Sequence, residues 1–240
     1  DERVKEAIEY FEENDYESMI IDLRINPGGL LTGVVDVVDL YFDTGVIVET
    51  RGRVASENET YRARRGKIVP EDLPIMVLID GGSASAAEIM AAALGDRNRA
   101  TLVGTTTYGK GSVQQVRRIG DAGFRLTMAR YYTPSGANID KVGVEPDVVV
   151  EEPELSDEEQ QSYARLRSSD RIESFVDRVQ EPTEEELSSF IEELRNEDYV
   201  LTDRLIRRMV RIEVNRELNR SENYDLEYDV QLQKAVELLR

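Results

Sequence analysis

Residues 81–114, GGSASAAEIMAAALGDRNRATLVGTTTYGKGSVQ, hold two serines, Ser83 and Ser85, upstream of a lone lysine, Lys110, set between glycines. The chain contains neither histidine nor cysteine. A serine hydroxyl is a weak nucleophile until a neighbouring base takes its proton. With imidazole and thiolate excluded, that base must be Lys, Asp, Glu or Tyr, and Lys110 is the candidate. An amine accepts a proton only when neutral, a state favoured by burial and opposed by a nearby carboxylate. Leu, Val, Thr, Tyr and Gly dominate residues 102–118, and the nearest flanking acids are Asp96 and Asp121. An exposed turn lysine in YGKG is the competing reading.

The serine side adds weight. In VLIDGGSASAAEI an apolar strand runs through a small-residue turn into a helix. A serine at such a junction sits near unpaired helix N–H groups and the positive end of the dipole, which favour developing negative charge. The bland alternative is that Ser83 or Ser85 simply caps the helix. Residues 104–111, GTTTYGKG, also come close to the phosphate-binding pattern G-x-x-x-x-G-K-[ST]. Gly111 stands where a hydroxyl should hold magnesium, and SVQQVRRI reads as a strand rather than the required helix, so a nucleotide site is disfavoured.

The elements that must position these residues alternate along the chain. A helix is expected over 3–14, a strand over 18–25 broken by NPGG at 26–29, and a helix over 30–42. A strand over 45–52 and a polar partner over 57–65 form a hairpin. A buried strand at 73–80 leads into the helix at 84–94, and a further strand follows at 100–106. SVQQVRRI and FRLTMARYYT flank a turn at 120–123, and a strand is expected over 143–150. This alternation with interspersed hairpins predicts a mixed α/β core.

Past residue 151 the character changes. Residues 151–200 carry 17 acids and five bases. Ser156-x-x-Glu159 and Thr183-x-x-Glu186 are capping boxes that open helices. Residues 201–218 form an amphipathic helix with Leu205, Met209, Ile212 and Leu218 near one face, and 229–239 form another. The expected division is a core over 1–152 and an acidic helical extension over 153–240. The apolar stripe suggests homodimerisation through the C-terminal helices, opposed by the charge and relieved by salt.

The formal charge of −19 disfavours nucleic-acid partners. Basic residues are 25 Arg and five Lys, a balance that suits either strong salt or an ordinary acidic protein. Zero Cys and zero His exclude disulfides, thiolate sites and histidine-ligated zinc. No apolar run reaches the ~20 residues of a membrane span. The chain opens inside a helical pattern without Met, and it is expected to be a piece of a longer protein with any targeting segment removed.

Four blocks, DLRINPGG, GGSASAAEI, TTYGKGSVQ and YYTPSGANIDKVGVEPDVVV, together resemble the C-terminal processing peptidases, or tail-specific proteases, a family of Ser-Lys serine endopeptidases. The resemblance covers most of residues 16–150. It implies a ββα-superhelix core, related to Clp protease and crotonase, with a helical C-terminal extension. It also implies that Ser85, 25 positions before Lys110, is the nucleophile, with Lys110 as base and Gln114 orienting the amine. Ala86 and Gly28 or Gly29 fall where the family's oxyanion donors lie. Ala87 departs from the family's frequent third serine. The implied substrates are polypeptides cleaved near their C-termini, with no metal or organic cofactor, in an extracytoplasmic setting such as the periplasm or membrane face. The family usually carries a PDZ domain ahead of the core; none is read here, and residues 1–15 resemble the helix that follows it. Two rivals stand beside this reading: a non-catalytic scaffold, and a crotonase-type acyl-CoA enzyme, which has no use for a Ser85–Lys110 pair.

Overall fold

The computed structural model of the chain describes residues 2–64, 66–120, 122–220 and 225–240. Asp1, Arg65 at the end of the expected hairpin strand and Asp121 in the expected turn lie outside the described residues. In chain order the first part contains α1 (Glu2–Glu12), β1 (Met19–Asp22), α2 (Leu31–Asp39), β2 (Val46–Gly52), β3 (Glu59–Arg62), β4 (Ile75–Ile79), α3 (Ala86–Asp96), β5 (Thr101–Gly104), β6 (Ser112–Ile119), β7 (Ala122–Tyr132) and β8 (Val148–Val149).

Two sheets result. β1, β4, β5 and β8 pair in parallel in the order β1-β4-β5-β8. β4, IMVLI, is buried at every position, as a strand interior to a covered parallel sheet must be. β3, β2, β7 and β6 form a second, antiparallel sheet in that order. α3 follows β4 and is buried from Ala86 to Leu94. Its alanines let neighbouring backbone approach closely, and α2 packs beside it through Val34, Val35 and Val38. This α/β arrangement matches the fold class expected from sequence.

Two local expectations change. The strand expected over 143–150 shrinks to β8, because the preceding residues are held elsewhere: Thr107 N–H donates to Val144 O and Lys141 N–H to Gly109 O. Of the turn expected at 120–123, Ala122 and Gly123 belong to β7.

By their internal packing, Asp1–Glu151 with Lys234–Arg240 form one unit and Glu152–Gln233 another. The second contains α4 (Asp157–Arg167), α5 (Arg171–Val179), α6 (Glu184–Asn196) and α7 (Asp203–Glu217); α8 (Val230–Leu238) ends the chain. Ser156 and Thr183 cap α4 and α6, accepting from the N–H groups of Glu159 and Glu186. The core of this unit is built on Phe175 and Phe190, stacked at 4.2 Å, with Ile191, Leu194, Ile206 and Val210 around them.

α7 turns most of its apolar residues to the core of its own unit. Its inward face is Ile206, Val210 and Val214, and Leu205 and Met209 pack against the same core. The stripe read as a self-association face is therefore largely occupied within the unit, leaving Ile212 43% and Leu218 37% exposed.

Candidate active site

Ser85 is the N-cap residue of α3 and sits at φ 58°, ψ −113°. That conformation costs of order 1–3 kcal/mol for a residue with a side chain and persists only where neighbours enforce it. A strained strand-to-helix corner is also how α/β-hydrolases present a nucleophilic serine. The enforcing contacts come from two directions.

The first is the loop after β1. Asn26 O accepts from Ala84 N–H at 2.8 Å, and one Asp80 oxygen accepts from both Ile25 N–H and Gly82 N–H at 2.9 Å. Ser83 is fully buried, donates to Leu23 O at 2.7 Å and accepts from Asp80 N–H at 3.0 Å. Ser83 therefore joins the ends of β1 and β4 and does not cap α3. Gly28, at φ +89°, lies so close to the corner that a Cβ there would meet Ala84 O at 2.5 Å and Ala86 N at 2.7 Å. Gly29 has nothing within 4 Å of such a position.

These contacts separate the candidate oxyanion donors. Gly28 N–H donates to Asn26 Oδ1 at 2.9 Å. Gly29 N–H has no hydrogen bond among the described residues, and Ala86 N–H belongs to the first turn of α3, where no intrahelical acceptor exists.

The second direction is the loop 105–111. Glu88, fully buried, accepts four hydrogen bonds. Ser85 N–H and Lys110 N–H both donate to Oε2 at 2.8 Å. Gly109 N–H, at 2.7 Å, and the Thr107 hydroxyl, at 2.5 Å, donate to Oε1. Tyr108 N–H adds a tie to Ser83 O at 3.0 Å. Ser85 and Glu88 are the residue pair of a capping box, in which Glu88 accepts from the Ser85 N–H. Glycine is required on both sides of Lys110, because the chain at 139–142 runs against it: a Cβ on Gly109, at φ +84°, would meet Lys141 at 3.1 Å, and one on Gly111 would collide with Asp140.

Two expectations about Lys110 are corrected. Its side chain is exposed, because the loop faces solvent on that side. A carboxylate is also close at hand, since the buried Glu88 bonds its backbone N–H. No hydrogen bond among the described residues links the Lys110 amine to Ser85 or to Gln114. Gln114, exposed on β6 opposite Thr127, follows Lys110 on the same connection. Glu88 and Thr107 were missed by sequence reading. The available signals were a lone acid inside a buried alanine-rich helix and the S-x-x-E spacing from Ser85.

Beside the corner lies a cleft of about 540 Å³. Its walls are largely apolar, with Phe11, Ile21, Leu30 and Met90 among them, and it reaches Gly29 and Ala86.

A peptidase class is what this fold and corner define. Residues 1–150 match the family model described as Peptidase family S41, and the chain belongs to that family. It is similar to the carboxy-terminal-processing protease of Bartonella bacilliformis, 51% identical over 135 residues, covering 56% of this chain and 31% of the relative. It is also similar to the carboxyl-terminal-processing protease of Synechocystis, 43% identical over 154 residues, covering 64% and 35%. Among solved structures, the photosystem II D1 C-terminal processing protease superposes with a TM-score of 0.56 at 34% identity, covering 62% of this chain and 38% of that one. Mature CPAF shares the fold, with a TM-score of 0.54 at 19% identity over 62% of this chain and 41% of that one. The chain spans about a third of the length of these curated relatives.

Proposed function

We propose that the chain carries the catalytic core of a serine endopeptidase that cleaves polypeptides near their C-termini. The observation that carries this reading is the strained Ser85 at the head of α3, its N–H bonded to the same oxygen as that of Lys110. Ser85 Oγ attacks the scissile carbonyl carbon while its proton passes to neutral Lys110 Nζ, and the N–H groups of Ala86 and Gly29 receive the oxyanion. Gly28 shapes the hole through its close approach rather than by donating. The C–N bond then breaks, Lys110 returns the proton to the leaving amine, and water hydrolyses the acyl-enzyme by the same proton path. Gln114 orients the amine. Because Lys110 is exposed, bound substrate must exclude water from it. The cleft of Ile21, Leu30 and Met90 receives an apolar side chain next to the scissile bond.

The carboxy-terminal preference rests on the names of the relatives, and an extracytoplasmic setting belongs to the same reading. The test is hydrolysis of a quenched fluorescent peptide with an apolar, free C-terminus by the intact protein. Ser85→Ala and Lys110→Ala are each expected to lose roughly three orders of magnitude or more in kcat; full activity in either variant overturns the reading. A scaffold without catalysis is the second reading, favoured by the exposed Lys110 amine, which has no hydrogen bond to Ser85 among the described residues. A fluorophosphonate that labels the wild-type protein at Ser85, found by mass spectrometry, rules it out.

A further inference from the structure

We propose that Glu88 is a positioning residue that locks the nucleophile corner and the base loop into one unit. This rests on the serine–lysine reading and adds a residue to it. The four donors to Glu88 come from two separate segments. Ser85 lies at the head of α3, while Thr107, Gly109 and Lys110 lie past β5. Both oxygens accept twice, and one of them bonds Ser85 and Lys110 together.

The orientation of these bonds is determined by a relay. Thr107 Oγ1 accepts from Val144 N–H at 2.8 Å, so its own proton is free to go to Glu88. All four partners therefore donate, and the carboxylate form, an acceptor at both oxygens, is the one that satisfies them. A buried carboxylate is costly unless its lone pairs are filled, and charge-assisted bonds of this kind fill them. The side chain touches neither substrate nor the reacting atoms. It acts by setting where the Ser85 and Lys110 backbones stand, and thereby the distance their side chains must span. A shift of about 1 Å in such a relationship costs roughly 100-fold in rate.

Glutamine at 88 keeps the shape but turns one acceptor into a donor, so the two donors that face it lose their acceptor and the tie between the segments is weakened. In the intact protein, Glu88→Gln is expected to lower kcat for the quenched peptide roughly 100-fold, with KM little changed and thermal unfolding still cooperative. Thr107→Val, which removes one donor, shifts kcat in the same direction, and Thr107→Ser restores it. That rescue, with the split between kcat and KM, is not expected of a residue that only stabilises the fold. Should Glu88→Gln fail to fold, the Thr107→Val and Thr107→Ser pair decides. The proposal is overturned if folded Glu88→Gln, or Thr107→Val, hydrolyses peptide within about threefold of wild type while Ser85→Ala is inactive. A Ser85→Ala protein that still cleaves overturns the serine reading and this proposal with it.

Discussion

Ser85 and Lys110 share one hydrogen-bond acceptor: their backbone N–H groups both reach Oε2 of Glu88, each at 2.8 Å. The two nitrogens thus lie within twice that distance of each other although 25 residues separate them in sequence. The Glu88 carboxylate ties the two backbones together.

The strain at Ser85 makes activity and stability separable. Ser85→Gly removes the proposed nucleophile and relieves a left-handed φ of 58°. Peptide hydrolysis is expected to vanish while stability rises by about 1 kcal/mol, read from chemical denaturation. A glycine variant no more stable than Ser85→Ala contradicts the strain assigned here.

Ser83 behaves in the opposite way. Its hydroxyl serves Leu23 O and Asp80 N–H in a fully buried position. Ser83→Ala orphans the Asp80 N–H and leaves Leu23 O only the 3.3 Å bond from Asn26 N–H; it is expected to cost roughly 1–3 kcal/mol, with activity retained below the unfolding transition. Complete loss of turnover in a folded Ser83→Ala protein would move the nucleophile away from Ser85.

The adjacent glycines should also differ sharply. Gly28→Ala puts a Cβ against Ala84 O and Ala86 N at φ +89°. The corner must shift, and a loss of roughly 2 kcal/mol or more, together with most of the activity, is expected. Gly29→Ala meets nothing within 4 Å and should fold as wild type does. Equal thermal midpoints for the two variants would contradict the placement of Gly28.

High pH should destabilise the first unit through Tyr41. Burial, partly offset by Arg99, pushes its hydroxyl up to about 12. An unfolded tyrosine ionises near ~10, so between these values the unfolded chain holds fewer protons and stability falls as pH rises. The contribution is fully present below pH ~10 and lost through about 12, of order 2–3 kcal/mol. Tyr41→Phe should flatten this part of the stability–pH curve; an unchanged slope sinks the assignment.

In the second unit the stacked pair carries the core. Phe190→Ala is expected to cost about 3–5 kcal/mol, whereas Ile212→Asp on the outer face of α7 should stay within ~0.5 kcal/mol. Two partly exposed apolar side chains on α7 bury far less than a stable interface of roughly 1,200 Å² requires. Sedimentation of this chain at tens of micromolar should therefore show a monomer at low and high salt. A dimer that strengthens with salt and is broken by Ile212→Asp would restore α7 as an interface.

Residue types and spacing alone determined a great deal. With no histidine or cysteine, acid–base chemistry had to fall to lysine or oxygen groups, and the resemblance of the four motif blocks to the C-terminal processing peptidases implied Ser85 and Lys110. Apolar periodicity and capping pairs located the helices, because those signals depend on neighbours three or four residues away. What needed tertiary structure were the relations between distant segments. The bonds from Thr107, Gly109 and Lys110 to Glu88 span 19 to 22 residues and exist only because β5 returns beside β4. The exposure of Lys110 follows from which side of its loop lies against Glu88 and residues 139–142, which an apolar flanking sequence does not report. The inward face of α7 was likewise decided by partners on α5 and α6, since amphipathicity specifies that a face is buried and leaves open what buries it.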